Sequence, residues 1–237
     1  MAAFAPGDAV IGAVERLDGR TGAQADYVVV DAWALAPAPS GLSMEQAAGL
    51  PLPGLTALQA LDTLALEPGE WLLVTGAAGG VGGYAVELAV LRGLRVVAQA
   101  AAADEELLRG FGAEVFVARD ARLADTVRDV VPGGVHGVLD CANLGVEADD
   151  AVRHGGAFVA LLNNAPASRR EIRTHNMAWH ADPGRLAHLS ALAGAGRLTV
   201  RVAASFPVEN AQQAHEALAR GGHRGRLVLT FSAGELS

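Results

Sequence analysis

The chain has 237 residues, 51% of them hydrophobic, with 29 glycines, 10 prolines and a formal net charge of −8. That apolar share supports one large or two small domains with a real core and excludes a disordered chain. No apolar run approaches the roughly 18 residues of a membrane span and the N-terminus lacks a signal pattern, so a cytoplasmic protein is expected.

Asp8 to Asp31 reads as β structure, with Ala9–Val14 and Ala25–Val30 as short strands separated by turn formers such as Asp18-Gly19. Two strands alone do not make a stable sheet, so partners from elsewhere are required. Leu35 to Pro53 is punctuated by Pro37, Pro39, Pro51 and Pro53 around a helical turn, where Ser43 and Gln46 have capping-box spacing. Thr56 to Leu66 reads as a helix. Trp71–Val74 is then an apolar strand, and Gly76 to Gly83 a glycine-rich turn that opens into a helical pattern through Ala85, Leu88 and Leu91.

From there strand and helix alternate. Arg95–Ala98 is a strand, Glu105–Phe111 a helix, Val115–Val117 a strand and Leu123–Val131 a helix. Val138–Asp140 is a strand, Val146–His154 a helix, and Ala157–Leu162 a strand. Glu171–His180 reads as an extended edge strand and Pro183–Ala193 as a helix. Leu198–Val200 opens a strand, Pro207–Arg220 is a helix, and Leu227–Phe231 closes the chain as a candidate partner for the N-terminal strands. Alternation with short loops predicts an α/β fold with a doubly wound parallel sheet.

The glycine turn carries the chemistry. Ala77-Ala78-Gly79-Gly80-Val81-Gly82 fits G-x-G-x-x-G with alanine in the first glycine position, inside a βαβ unit. A strand, a tight glycine turn and a helix N-terminus together present backbone N–H groups and a positive dipole end to a phosphate. Gly79 lets backbone approach a pyrophosphate, and Gly82 lets the helix pack against the strand. A dinucleotide site is the expectation. All 18 cationic residues are arginine and only Arg169-Arg170 are adjacent, which argues against a nucleic-acid groove. Cys141 is the only cysteine and the seven histidines form no cluster with it, so no metal site is expected.

Several stretches resemble the medium-chain dehydrogenase/reductase superfamily in its zinc-free quinone oxidoreductase branch. They are Pro6-Gly7-Asp8-Ala9-Val10, Ala25–Val30, Gly49–Ala57, Pro68-Gly69-Glu70 leading into Gly76–Gly82, and Ala214-His215 with Gly225–Leu229. The resemblance spans essentially the full length. It implies a Rossmann domain plus a GroES-like, β-rich substrate domain, whose first strands are expected to be missing because this chain starts at the family's PGDxV turn. The expected division is 1–50 as the remnant of the substrate domain, 51–198 as the dinucleotide domain, and 199–237 as a return to the substrate domain.

The resemblance implies hydride transfer from a reduced nicotinamide to a quinone or an α,β-unsaturated carbonyl, without zinc, by a homodimer joined through sheet edges. A cofactor-binding remnant without catalysis is the alternative. The expected cofactor-binding residues are Thr56, Ala78, Gly79, Gly80, Val81, Gln99, Cys141, Leu162, Asn163 and Arg226. Thr56 matches a family threonine beside the nicotinamide, although its context also suits a helix cap. Arg226 matches a family basic residue near the cofactor phosphates. Cys141, Leu162 and Asn163 end parallel strands, the edge where doubly wound sheets bind ligands.

Cofactor choice is less directly written. An acid about 20 residues past the loop marks NAD sites, and a cation marks NADP sites. Gln99 stands there, followed by four alanines, and no arginine lies between Arg95 and Arg109. The branch implies NADPH, with NADH an alternative. A short-chain dehydrogenase would also use TGxxxGxG, which Thr75–Gly82 satisfies, but its YxxxK pair needs a lysine and this chain has none.

Overall fold

The computed structural model describes residues 4–14 and 22–231. The Asp18-Gly19 turn expected from the sequence lies outside them. Two compact units emerge, one of 1–55 with 180–237 and one of 56–179.

The central unit is a six-stranded parallel sheet. Its strands are β3 (Trp71–Thr75), β4 (Arg95–Ala100), β5 (Val115–Ala118), β6 (Val135–Asp140), β7 (Val152–Ala160) and β8 (Arg173–Asn176). The spatial order β5-β4-β3-β6-β7-β8 reverses direction between β3 and β6, the arrangement of a dinucleotide-binding Rossmann sheet. β3 is buried along its whole length, as a strand covered on both faces must be. α3 (Gly80–Leu91), α4 (Glu105–Gly110), α5 (Leu123–Val130) and α6 (Val146–Asp149) follow the strands in turn. Leu73, Val97, Val117, Val138, Phe158 and Val127 share one core cluster.

Two expectations change here. The run read as a helix over Val146–His154 is helical only to Asp149, and β7 already begins at Val152. Gly155 at φ +70° and a register shift between Val135 and Gly137 break the period there, hiding the strand start. β7 then ends at Ala160, so Leu162 lies beyond the strand.

The other unit holds β1 (Val10–Gly12) and β2 (Leu35–Pro37), paired antiparallel, with α1 (Met44–Ala48), α7 (Pro183–Gly194) and α8 (Ala211–Arg220). β9 (Val202–Pro207) and β10 (Arg226–Thr230) pair parallel across α8. The capping box is formed: Gln46 N donates to Ser43 Oγ at 3.2 Å, and Ser43 N to Gln46 Oε1 at 3.0 Å. β10 therefore takes β9 as its partner, and β1 takes β2, correcting the expected union of the last strand with the first. Residues 25–30 form no strand; Tyr27 and Val29 are 63% and 93% exposed. α7 belongs to this unit, where Ser190 Oγ donates to the Pro37 carbonyl at 2.7 Å. The expected domain ending at 198 had grouped it with the nucleotide sheet. α2 (Pro51–Leu64) crosses the boundary between the units.

Candidate functional site

The glycine turn connects the C-terminal end of β3 to α3, next to the point where strand order reverses. Gly76 has φ +58°, a left-handed conformation that glycine adopts freely. Gly82 is fixed by space: a Cβ there would lie 2.4 Å from the Gly76 carbonyl oxygen and 2.8 Å from Ala77 Cα. Both neighbours are backbone, so no rotamer change relieves the overlap. A Cβ at Gly79 would meet only the Gly76 oxygen, at 3.1 Å.

Gly79 is the N-cap of α3 and offers no side chain to cap it. The N–H groups of a first helical turn have no acceptor within the helix, and the dipole adds partial positive charge there. An anion placed over Gly80 and Val81 would meet both, while Gly79 N donates to the Gly76 carbonyl at 2.9 Å and holds the turn closed. Ala78 is 7% exposed, and its small side chain keeps this approach open.

A buried polar network holds the turn in place. Thr75 Oγ1 donates to Asp140 Oδ1 at 2.6 Å and accepts from Ala142 N at 3.1 Å. Asp140, 1% exposed, also accepts from Leu144 N at 3.2 Å and, through Oδ2, from Gly145 N at 2.8 Å. One buried carboxylate thus ties the end of β3 to the whole loop after β6. Buried charge is tolerated when it accepts this many donors. The sequence reading placed Asp140 only as a strand end and missed this role; its position beside a switch-point loop was the available signal.

Gln99, 3% exposed, belongs to the same support. Its Oε1 accepts from Gly76 N at 3.2 Å, and its carbonyl from Ala77 N at 3.0 Å. The side chain is turned onto the glycine turn. Cys141 follows Asp140 at the rim, and burial, reinforced by the Asp140 carboxylate, pushes its thiol above the ordinary range. A thiol held protonated contributes a wall rather than a nucleophile.

The loop after β7 carries Leu162, 67% exposed, and Asn163, whose φ of +54° is left-handed. Asn164 Nδ2 donates to the Asn143 carbonyl at 3.3 Å, joining this loop to the one after β6. Strained non-glycine backbone at a sheet's C-terminal edge is a mark of functional loops. Nine of the ten expected residues, all except Arg226, therefore fall in the central unit. Thr56 lies inside α2, beyond its first turn, so its role as an N-terminal cap is excluded. Arg226 opens β10 in the other unit.

The profile described as "Zinc-binding dehydrogenase" matches residues 111–229. An alcohol dehydrogenase superfamily protein from Novosphingobium aromaticivorans shares the fold at TM-score 0.85 and 27% identity, over 98% of this chain and 77% of that one. The chain belongs to the medium-chain dehydrogenase/reductase superfamily. Other members similar to it include a quinone oxidoreductase from Coxiella burnetii, at 28% identity and TM-score 0.73 over 83% of this chain and 63% of that one. Erythronolide synthase EryA2 of Saccharopolyspora erythraea is 34% identical over 98% of this chain, which spans only 7% of the synthase.

Medium-chain dehydrogenases/reductases use a nicotinamide cofactor, and the geometry suits one: a pyrophosphate would fill the space that a bulkier residue at Gly79 would close. The profile's description names zinc. Among the described residues no group of three or more His, Cys, Asp or Glu is placed to hold a metal ion.

Proposed function

We propose that the chain is a zinc-independent, NADPH-dependent reductase acting on a quinone or an α,β-unsaturated carbonyl. The observation that carries this reading is the glycine turn at the N-terminus of α3, beside the switch point and braced by Asp140. In this reading, Gly80 and Val81 meet the pyrophosphate with backbone N–H groups, while Ala78 and Gly79 keep the turn small enough for it to approach. Gln99 fixes the turn from below. Cys141, Leu162 and Asn163 form the wall along the strand ends, and Thr56 completes the set within this unit.

When bound, the nicotinamide supplies the hydride. The chain's own work is to orient that ring, exclude water, and place donors where negative charge develops on an acceptor's carbonyl oxygen. The named likeness to a quinone oxidoreductase supports the quinone as an acceptor. The lone cysteine accords with a reducing, cytoplasmic setting. Among the described residues no helix is long and apolar enough to cross a membrane.

A homodimer joined through β8 completes the proposal, since β8 is an edge strand whose outer N–H and C=O groups invite pairing. Light scattering reporting a monomer would remove it. The activity is tested by following NADPH oxidation with a simple quinone and with an enoyl thioester. Turnover of at least one, unchanged after dialysis against a chelator, is expected. Tight NADPH binding with neither acceptor reduced would favour a cofactor-binding remnant.

A further inference from the structure

The C-terminal end of β4 is where a Rossmann sheet reads the adenosine ribose, and here it carries no charge. Gln99 is spent on the glycine turn, and Ala100 to Ala103 follow it. The adjacent strand supplies what β4 lacks. The register pairs Gln99 with Val117 and Ala100 with Ala118, so the next residue at that edge is Arg119. Its N–H donates to the Ala100 carbonyl at 2.7 Å, and Ala121 N donates to the Ala118 carbonyl at 3.0 Å. Two backbone hydrogen bonds thus hold Arg119 at the corner of a turn against the end of β4.

Arg119 is exposed, and among the described residues its guanidinium joins no ion pair. The neighbouring cations are engaged: Arg95 with Glu114, Arg109 with Glu105 at 2.9 Å, and Arg122 with Asp125 at 3.6 Å. A guanidinium presents a planar fork of donors that matches phosphate oxygens, and a phosphate monoester is close to a dianion at neutral pH.

We infer that Arg119, held on the Ala100 carbonyl at the end of β4, pairs with the 2′-phosphate of the cofactor's adenosine and sets a preference for NADPH over NADH. This rests on the dinucleotide reading above and names the residue that decides between its two cofactors. The cation comes from the turn just after β5, outside the interval where sequence spacing places such a clamp.

The test is equilibrium binding of NADPH, NADH and adenosine 2′,5′-bisphosphate to the wild-type chain, Arg119→Gln and Arg119→Lys. Loss of a charge-assisted phosphate contact should weaken NADPH and the bisphosphate by about ten- to a hundredfold in Arg119→Gln. NADH should bind that variant as it binds wild type, and Arg119→Lys should keep part of the preference. Unchanged NADPH binding in Arg119→Gln, an equal loss for NADH, or wild type binding NADH at least as tightly as NADPH would each overturn the inference. Wild type binding neither nucleotide would overturn the dinucleotide reading and this inference with it.

Discussion

Gly82 and Gly79 stand three residues apart in one turn, yet they answer to different constraints. A Cβ at Gly82 meets two backbone atoms inside 3.0 Å, whereas at Gly79 it meets one at 3.1 Å. Gly82→Ala should therefore cost about 1–3 kcal/mol of stability in urea unfolding and displace the turn, while Gly79→Ala costs less. Asp140→Ala should be harsher, because it strips the acceptor from one hydroxyl and at least three N–H groups at once. A loss of about 2–4 kcal/mol, with cofactor affinity falling in the same variant, is the expected outcome. Unchanged affinity in a folded Asp140→Ala chain would contradict its role as a brace.

At the scale of elements, the sheet's edges carry their own dependencies. Asp149, fully buried in α6, pairs with Arg169 at 2.5 Å and Arg170 at 3.3 Å. These arginines lead into β8 through Arg170 and Glu171, both at left-handed φ. Removing both arginines would leave the buried Asp149 carboxylate uncompensated, so the double variant Arg169→Ala, Arg170→Ala should cost about 3–5 kcal/mol and expose the β8 amides to hydrogen exchange first.

At the N-terminal edge of β3 and β6, Trp71 N donates to His136 Nδ1 at 3.1 Å, which only a neutral ring accepts. Burial, followed by the Arg153 charge, lowers the His136 pKa below its ordinary 6.5, against the opposing pull of Glu70. The unfolded chain therefore takes up the proton first, and this contribution to stability is intact above about pH 6.5. It declines as pH falls from there until the folded ring itself protonates. Unfolding free energies compared between about pH 7.5 and about pH 5.5 should show a smaller drop in His136→Gln than in wild type.

The alternation β3 to β7 was legible because each strand carries a short apolar run between helical or loop segments, whereas β8, Arg173-Thr174-His175-Asn176, has none. The run at residues 25–30 shows the same pattern but no strand forms, since pairing depends on a partner that local composition does not reveal. β2 was hidden by Pro37, which an edge strand tolerates at its end.

Across the whole molecule, the site was legible as a turn and illegible as a set. Spacing exposes Gly76–Gly82 because strand, turn and helix are contiguous in the chain. The Asp140 brace joins residues 65 apart, from Thr75 to Asp140, and Arg119 meets Ala100 only through strand register. Such contacts come from topology, which one sequence does not spell out. What unites them is the C-terminal edge of a single parallel sheet, where β3, β4, β5, β6 and β7 each end in a loop. The central claim is that this edge binds a nicotinamide dinucleotide through the glycine turn. Calorimetric titration of the wild-type chain and of Gly82→Val with NADPH tests it most directly. The account predicts one site per wild-type chain and loss of binding in a variant that remains folded by circular dichroism. No binding to wild type, or equal binding to both, would contradict it.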